Sequence, residues 1–291
     1  MEVRKAFDYF IQDKMTYCAA VTIIYYKENI SRFIDYINIE ETEDITRDIY
    51  ISYISYLRSS GRLSDTSVRT YTRAVRSFLN WLNDNGYVKT NITKNVHLPK
   101  DDAADQYPLT SKEVDEIDSM FGLNIVGIRN YLIFHLMLDC GLRRGDVIRL
   151  HASDVSLGSL SLKHCKGSKS RIIPLPENLF FAAEKIKEFN RKKGDNVFLF
   201  YSFRKKHQQI TEYTIKMLFQ KLKTKCPRVH AHLLRHTFAT SFMIYNGNIE
   251  ILRLILGHSD YTITQRYLHL SSQMLLIKYD IYKIDDCFLK R

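Results

Sequence analysis

Cysteine is scarce in this sequence, and the five present cannot build a disulfide framework: Cys18, Cys140, Cys165, Cys226 and Cys287 are odd in number and never spaced C-x-x-C. No apolar run is long enough to cross a bilayer. The longest, Tyr131 to Leu138, is interrupted by His135 and falls short of the about 20 residues a helical span needs. The opening MEVRKAFDYF carries charge from its second residue and lacks a signal-peptide pattern. There is no internal repeat, low-complexity tract, P-loop or G-x-G-x-x-G, so nothing supports an ATP-driven mechanism. These absences predict a soluble protein of a reducing compartment.

What is present suffices to fold. Apolar residues make up 45% and aromatics 12%, too much for a disordered chain, and 291 residues suit one large domain or two ordinary ones. The net charge is +11, and it is unevenly spread. Residues 1–100 hold 14 basic and 12 acidic residues, whereas the stretch from Lys163 to Arg228 holds 17 basic and 5 acidic. Such a concentration suits a surface that neutralises phosphates. Charge alone fits nucleic acid, an anionic membrane or a plain solvated face.

The first hundred residues read as helices. From Ser64 to Leu82, Val68, Tyr71, Val75, Phe78, Leu79 and Leu82 recur at helical spacing, with Ser64 as the expected N-cap and Asn85-Gly86 as the stop. Ala20 to Ile37 and Arg47 to Leu57 also read as helices. Arg69, Arg73 and Arg76 share one face beside Thr66, Ser67 and Thr70, which suits contact with a DNA backbone as well as ordinary solvation. Residues 91–109 break the pattern with two prolines and several Asp and Asn. Thr110-x-x-Glu113 then has capping-box spacing. Asn124 to Cys140 reads as an apolar helix ended by Gly141. Val155–Leu162 and Ser170–Pro174 read as β-prone runs across the polar turn Lys166-Gly-Ser-Lys169. Four or five helical segments follow Pro176.

Three stretches concentrate reactive side chains. In Cys140-Gly-Leu-Arg-Arg-Gly-Asp146 a glycine ends one helix and two arginines open the next. In His232-Leu-Leu-Arg-His236, His232 and Arg235 share a helix face while Leu233 and Leu234 turn to the core. The third, Leu256-Gly-His-Ser-Asp-Tyr-Thr-Ile-Thr-Gln-Arg-Tyr267, offers His258, an N-cap at Ser259 and a terminal tyrosine. A zinc site is the rival reading, from Cys226, His230, His232, His236 and His258. Because neither H-E-x-x-H nor finger spacing occurs, no metal and no other cofactor is expected.

In this order and spacing the stretches resemble the tyrosine recombinase (phage-type integrase) family, in its compact Xer-type form. The resemblance implies a mainly α fold with a small antiparallel β-sheet. It implies an N-terminal helical core-binding (SAM-like) domain over residues 1–94, a linker over 95–109 and a catalytic domain over 110–291. Its catalytic set falls on Arg143, Lys166, His232, Arg235, His258 and Tyr267. Asp146 stands where the family usually has Glu, in a supporting role toward Arg143. Arg69, Arg73, Arg76, Lys169 and Arg171 are expected on DNA. The implied substrate is double-stranded DNA with paired recombination sites, handled in the cytoplasm at the nucleoid, without a membrane and with accessory proteins as further partners. Met274, Ile277, Ile281, Ile284 and Phe288 recur at steps of 3 and 4 near the end of the chain. That stripe suits docking on its own domain or, as the resemblance implies, insertion into a neighbour to join a homo-tetramer. A topoisomerase or hairpin resolvase using the same tyrosine, and a catalytically silent DNA-binding regulator, are the competing functions.

Overall fold

The computed structural model describes residues 1–61, 63–99, 107–163, 170–195, 197–203, 207–245, 247–257 and 264. The chain divides into two compact units, Met1–Asp105 and Gln106–Arg291.

The first unit is helical: α1 (Val3–Met15), α2 (Ala20–Ile37), α3 (Arg47–Ser59) and α4 (Asp65–Asp84). Ser64 caps α4 as its sequence suggests, its hydroxyl accepting from the Ser67 N–H at 3.2 Å. The stripe of α4 buries Val68, Val75, Phe78, Leu79 and Leu82 completely. Each such side chain contributes about 1.5–3 kcal/mol through lost apolar exposure. Phe78 meets Phe10 edge-on with ring centres 5.5 Å apart, and Phe33 meets Tyr53 at 5.1 Å. Residues 95–99 lie against this unit. Val96 is buried in its core, and the carbonyls of Val96 and Pro99 accept from Arg76 and Arg69.

The second unit is mixed. It comprises α5 (Ser111–Asp118), α6 (Ile125–Leu138), α7 (Arg144–Arg149), the strands β1 (Val155–Ser156), β2 (Ser159–Leu162) and β3 (Arg171–Pro174), then α8 (Glu177–Lys192), α9 (Glu212–Leu222), α10 (Ala231–Ile244) and α11 (Ile249–Leu256). The capping box forms, with the Glu113 N–H on Thr110 Oγ1 at 3.3 Å and the Thr110 N–H on Glu113 Oε2 at 2.8 Å. Asn124 caps α6 through the Gly127 N–H at 2.8 Å. Helix α6 buries every residue from Leu132 to Leu138 and so forms the centre of this core. The sheet is antiparallel in the order β1-β2-β3, with Leu160 opposite Ile173 and Leu162 opposite Arg171. The run Val155–Leu162 is therefore two strands rather than one. Gly158, at φ +73°, turns the chain between them, a conformation costly for residues with a Cβ. Arg228 closes the start of the unit, holding Glu113 at 2.6 and 2.7 Å and the carbonyls of Tyr107 and Pro108. Its guanidinium keeps the Glu113 carboxyl down at about 2.

Candidate active site

The site is built around the C-terminal end of α11. Gly257 ends that helix in the left-handed region at φ 62°. Three consecutive carbonyls there accept from three different arginines. Ile255 O takes Arg171 Nε at 2.8 Å, Leu256 O takes Arg235 Nη2 at 2.7 Å, and Gly257 O takes Arg143 Nη2 at 3.3 Å. The last carbonyls of a helix lack intrahelical donors and lie at the negative end of its dipole, so guanidiniums satisfy both needs at once.

Each arginine reaches this point by a different local route. After α6, Gly141 reverses the chain at φ +65°, and a Cβ there would lie 2.5 Å from the Phe238 ring. Leu142 buries, and Arg143 becomes the N-cap residue of α7. On α10, Leu233 and Leu234 anchor the helix in the core, while Arg235 is 4% exposed and gives its Nη1 to Gly141 O at 2.7 Å. Arg235 thus bonds both the turn that delivers Arg143 and the helix end on which Arg143 rests. His232 lies one turn away. Burial lowers its pKa, and the charges of Arg235 and Arg143 and of nearby His230 and His236 lower it further. These effects favour the neutral imidazole, the form able to accept a proton.

Two of the expected site residues have partners that the sequence did not suggest. Among the described residues the Asp146 carboxylate bonds arginines other than Arg143. That carboxylate, 3% exposed, accepts from Arg171 Nη2 at 3.0 Å and from Arg149 Nη2 at 3.2 Å. Arg171 is not a surface residue facing a DNA backbone. Its side chain is 8% exposed and committed to Asp146 and Ile255. The signal was present in the alternation of β3: Ile173 is buried and Ile172 is 73% exposed, so Arg171 shares the inward face of Ile173.

On α4, Arg73 is exposed as expected, whereas Arg69 and Arg76 are half-buried and hold the 96–99 segment. Lys166, Lys169, His258, Ser259, Tyr267 and the apolar stripe from Met274 to Phe288 lie outside the described residues. Of the zinc reading, Cys226 directs its thiol to Glu113 Oε1 at 3.6 Å, and His230 Nδ1 bonds the Arg228 carbonyl at 2.8 Å. Sequence reasoning missed Arg149 and the carbonyl ladder of α11. Backbone acceptors leave no mark in side-chain spacing.

One buried and one half-buried guanidinium on the same helix terminus, with an imidazole whose neutral form is favoured one turn from Arg235, make a centre suited to an oxyanion. Comparison with known proteins gives this centre a family. The model described as "Phage integrase family" matches residues 108–274, and "Phage integrase, N-terminal SAM-like domain" matches residues 8–86. The chain belongs to the phage integrase family of tyrosine recombinases and is an enzyme of that type. A tyrosine recombinase of Pseudothermotoga lettingae is 30% identical over 263 residues, covering 87% of this chain and 88% of that protein. XerD of Halalkalibacterium halodurans is 29% identical, covering 86% and 87%. Among solved structures, the integrase of the Tn1549 transposon, in complex with circular intermediate DNA, aligns with a TM-score of 0.75 at 20% identity, covering 92% of this chain and 95% of that one. A lambda integrase dimer bound to a COC' core site also aligns at 0.75, with 18% identity and coverage of 92% and 95%. Both share the fold: a helical unit and a mainly helical unit with a small antiparallel sheet.

Proposed function

We propose that this enzyme carries out site-specific recombination of double-stranded DNA by transesterification through a 3′-phosphotyrosine and a Holliday junction. The supporting observation is the convergence of Arg143 and Arg235 on adjacent carbonyls, Gly257 O and Leu256 O, with His232 one turn from Arg235 on the same helix. A phosphodiester resists attack because the nucleophile approaches an anion and the leaving alkoxide is poor. Two guanidiniums fixed before the substrate arrives lower the first barrier without reorganising during the reaction.

In this reading Arg143 and Arg235 clamp the non-bridging oxygens, and His258 hydrogen-bonds the same phosphate. The Tyr267 oxygen attacks phosphorus in line. A phenol has an ordinary pKa near 10, and His232 takes its proton. The P–O5′ bond breaks as Lys166 protonates the departing oxygen, leaving a free 5′-hydroxyl. The 5′-hydroxyl freed by the same cleavage in the partner duplex then attacks this phosphotyrosine, the P–O(Tyr) bond breaks, and the tyrosine recovers its proton. One ester replaces another at each step, so no ATP is consumed. Asp146 acts on the clamp at one remove, through Arg171.

We assign core binding to the helical domain, 1–94, with Arg73 on the backbone, and catalysis to 110–291, with 95–109 between them and Lys169 on DNA. The 3-and-4 spacing from Met274 to Phe288 supports a homo-tetramer assembled on DNA through that segment. Among the described residues no helix is long and apolar enough to cross a membrane, and a DNA substrate points to the cytoplasm at the nucleoid.

The test uses a nicked duplex built on the sequence that the wild-type protein selects from a randomised DNA library. Wild-type protein should form a denaturant-resistant protein–DNA adduct, and Tyr267→Phe should bind the duplex and form none. A normal adduct yield from Tyr267→Phe, or no adduct from wild type on its selected site, would overturn the assignment.

A further inference from the structure

We propose that Arg171 is a positioning residue for the phosphate clamp, acting through the end of α11 rather than on DNA. The inference rests on the transesterification reading. Helix α11 has eight residues, and the last turn of so short a helix frays unless its carbonyls are tied down. Arg143 and Arg235 are each bonded to this last turn, so its position sets theirs. Arg171 holds it through a third carbonyl, Ile255 O. Its planar guanidinium gives Nε to Ile255 O at 2.8 Å and Nη2 to Asp146 Oδ2 at 3.0 Å, two acceptors in the fixed directions of one fork. Asp146 belongs to α7, the helix that Arg143 opens. One buried side chain therefore ties β3, α7 and α11 together, and two of these carry or hold the clamp arginines.

Gly257 belongs to the same arrangement. A Cβ there would lie 2.7 Å from Arg171 Nη1 and 2.9 Å from Cζ, so the guanidinium lies flat against a residue that must lack a side chain. Arg171 faces the α11 terminus with its charge balanced by Asp146, which also accepts from Arg149. Removing Arg171 would free the Ile255 carbonyl and leave the buried carboxylate to Arg149 alone. A shift of the α11 end would then move both clamp guanidiniums off the phosphate.

The test compares first-strand cleavage on the selected nicked duplex with cleavage on the same duplex carrying a methylphosphonate at the scissile position. The methylphosphonate is uncharged, so a clamp that neutralises charge contributes little to its cleavage. Arg171→Met should bind DNA within about twofold of wild type, cleave the diester between about tenfold and 10²-fold more slowly, and cleave the methylphosphonate within about threefold of wild type. An equal loss on both substrates would mean Arg171 merely supports the fold and would overturn the proposal. A second measurement needs no modified DNA. Combined with Arg143→Lys, Arg171→Met should add little further loss if both act on one clamp, and full multiplication of the two losses would refute it. Should Arg171→Met fail to fold, Arg171→Lys, which keeps the charge beside Asp146 but not the fork, should show the same pattern, as should Gly257→Ala. Failure of wild type to form any adduct would instead strike the function proposed above, so the two failures are told apart.

Discussion

Raising the pH from 7 to 9 should weaken the second unit and leave the first nearly unchanged. His135 lies on α6 with 6% exposure. Its Nε2 is 2.9 Å from Asp118 Oδ1 and its Nδ1 is 2.7 Å from Asp139 Oδ2. Burial opposes the imidazolium, but the two carboxylates outweigh it and lift the pKa from 6.5 to about 9. The folded state thus holds this proton more tightly than the unfolded chain. The resulting stability is fully present below pH 6.5 and is lost as the pH rises through 9. The difference between the two values corresponds to roughly 3 kcal/mol, shed at up to about 1.4 kcal/mol per pH unit. Two other groups bound the window. The lowered pKa of His232 has the opposite sign, disfavouring folding only below the ordinary histidine range. Burial pushes the Cys140 thiol to about 12, so it weakens folding only above the ordinary thiol value of 9. Urea unfolding at pH 7, 8 and 9 reads the effect. The single tryptophan, Trp81, lies in the first unit, so its fluorescence follows that unit while circular dichroism follows both. The exposed Met1–Glu41 pair contributes little there. His135→Gln should flatten the pH dependence. A second-unit transition that stays still from pH 7 to 9, or a Trp81 transition that moves with it, would refute this account.

Arg143→Ala and Arg235→Ala should each slow cleavage by about 10²-fold or more with DNA binding retained, measured as adduct formation on the nicked duplex. Unchanged cleavage would remove the clamp. Arg235→Ala should also lower stability by about 1–3 kcal/mol, because the carbonyls of Gly141 and Leu256 lose their donor in a buried place. Gly141→Ala should cost more than about 1 kcal/mol in thermal or urea unfolding, since it combines positive φ with a ring 2.5 Å from the new methyl. A neutral result there would mean the turn relaxes freely. Truncation after Leu270 should abolish assembly on paired sites in sedimentation experiments, and normal assembly would exclude the C-terminal stripe as the link.

Local features were legible in the sequence because their causes lie within a few residues. Ser64, Thr110 and Asn124 cap the helices they precede, with acceptor and donor three positions apart. The α4 stripe is buried where its spacing placed it. The hairpin runs were also visible, but the extra turn at Gly158 was not, since Val155 to Leu162 has β-forming residues on either side of it. Charge was the least legible property. Arg69, Arg76, Arg171 and Arg228 belong to faces or stretches read as phosphate-seeking, yet all four are engaged with partners of their own chain. A count of arginines cannot reveal which of them meet a carbonyl or carboxylate first.

Helix caps, the α4 stripe and the pairing of His232 with Arg235 on one helix are readable along the chain, because each is complete within one or two turns. Folding is what brings Arg143, Arg171 and Arg235 to one helix end. The carbonyls that gather them lie 114, 84 and 21 residues away along the chain. Those acceptors are backbone atoms, identical at every residue, and only folding selects the three at the end of α11. The same convergence moved Arg171 from the expected DNA surface to the interior, where its fork spans a carboxylate and a helix terminus that no spacing along the chain relates.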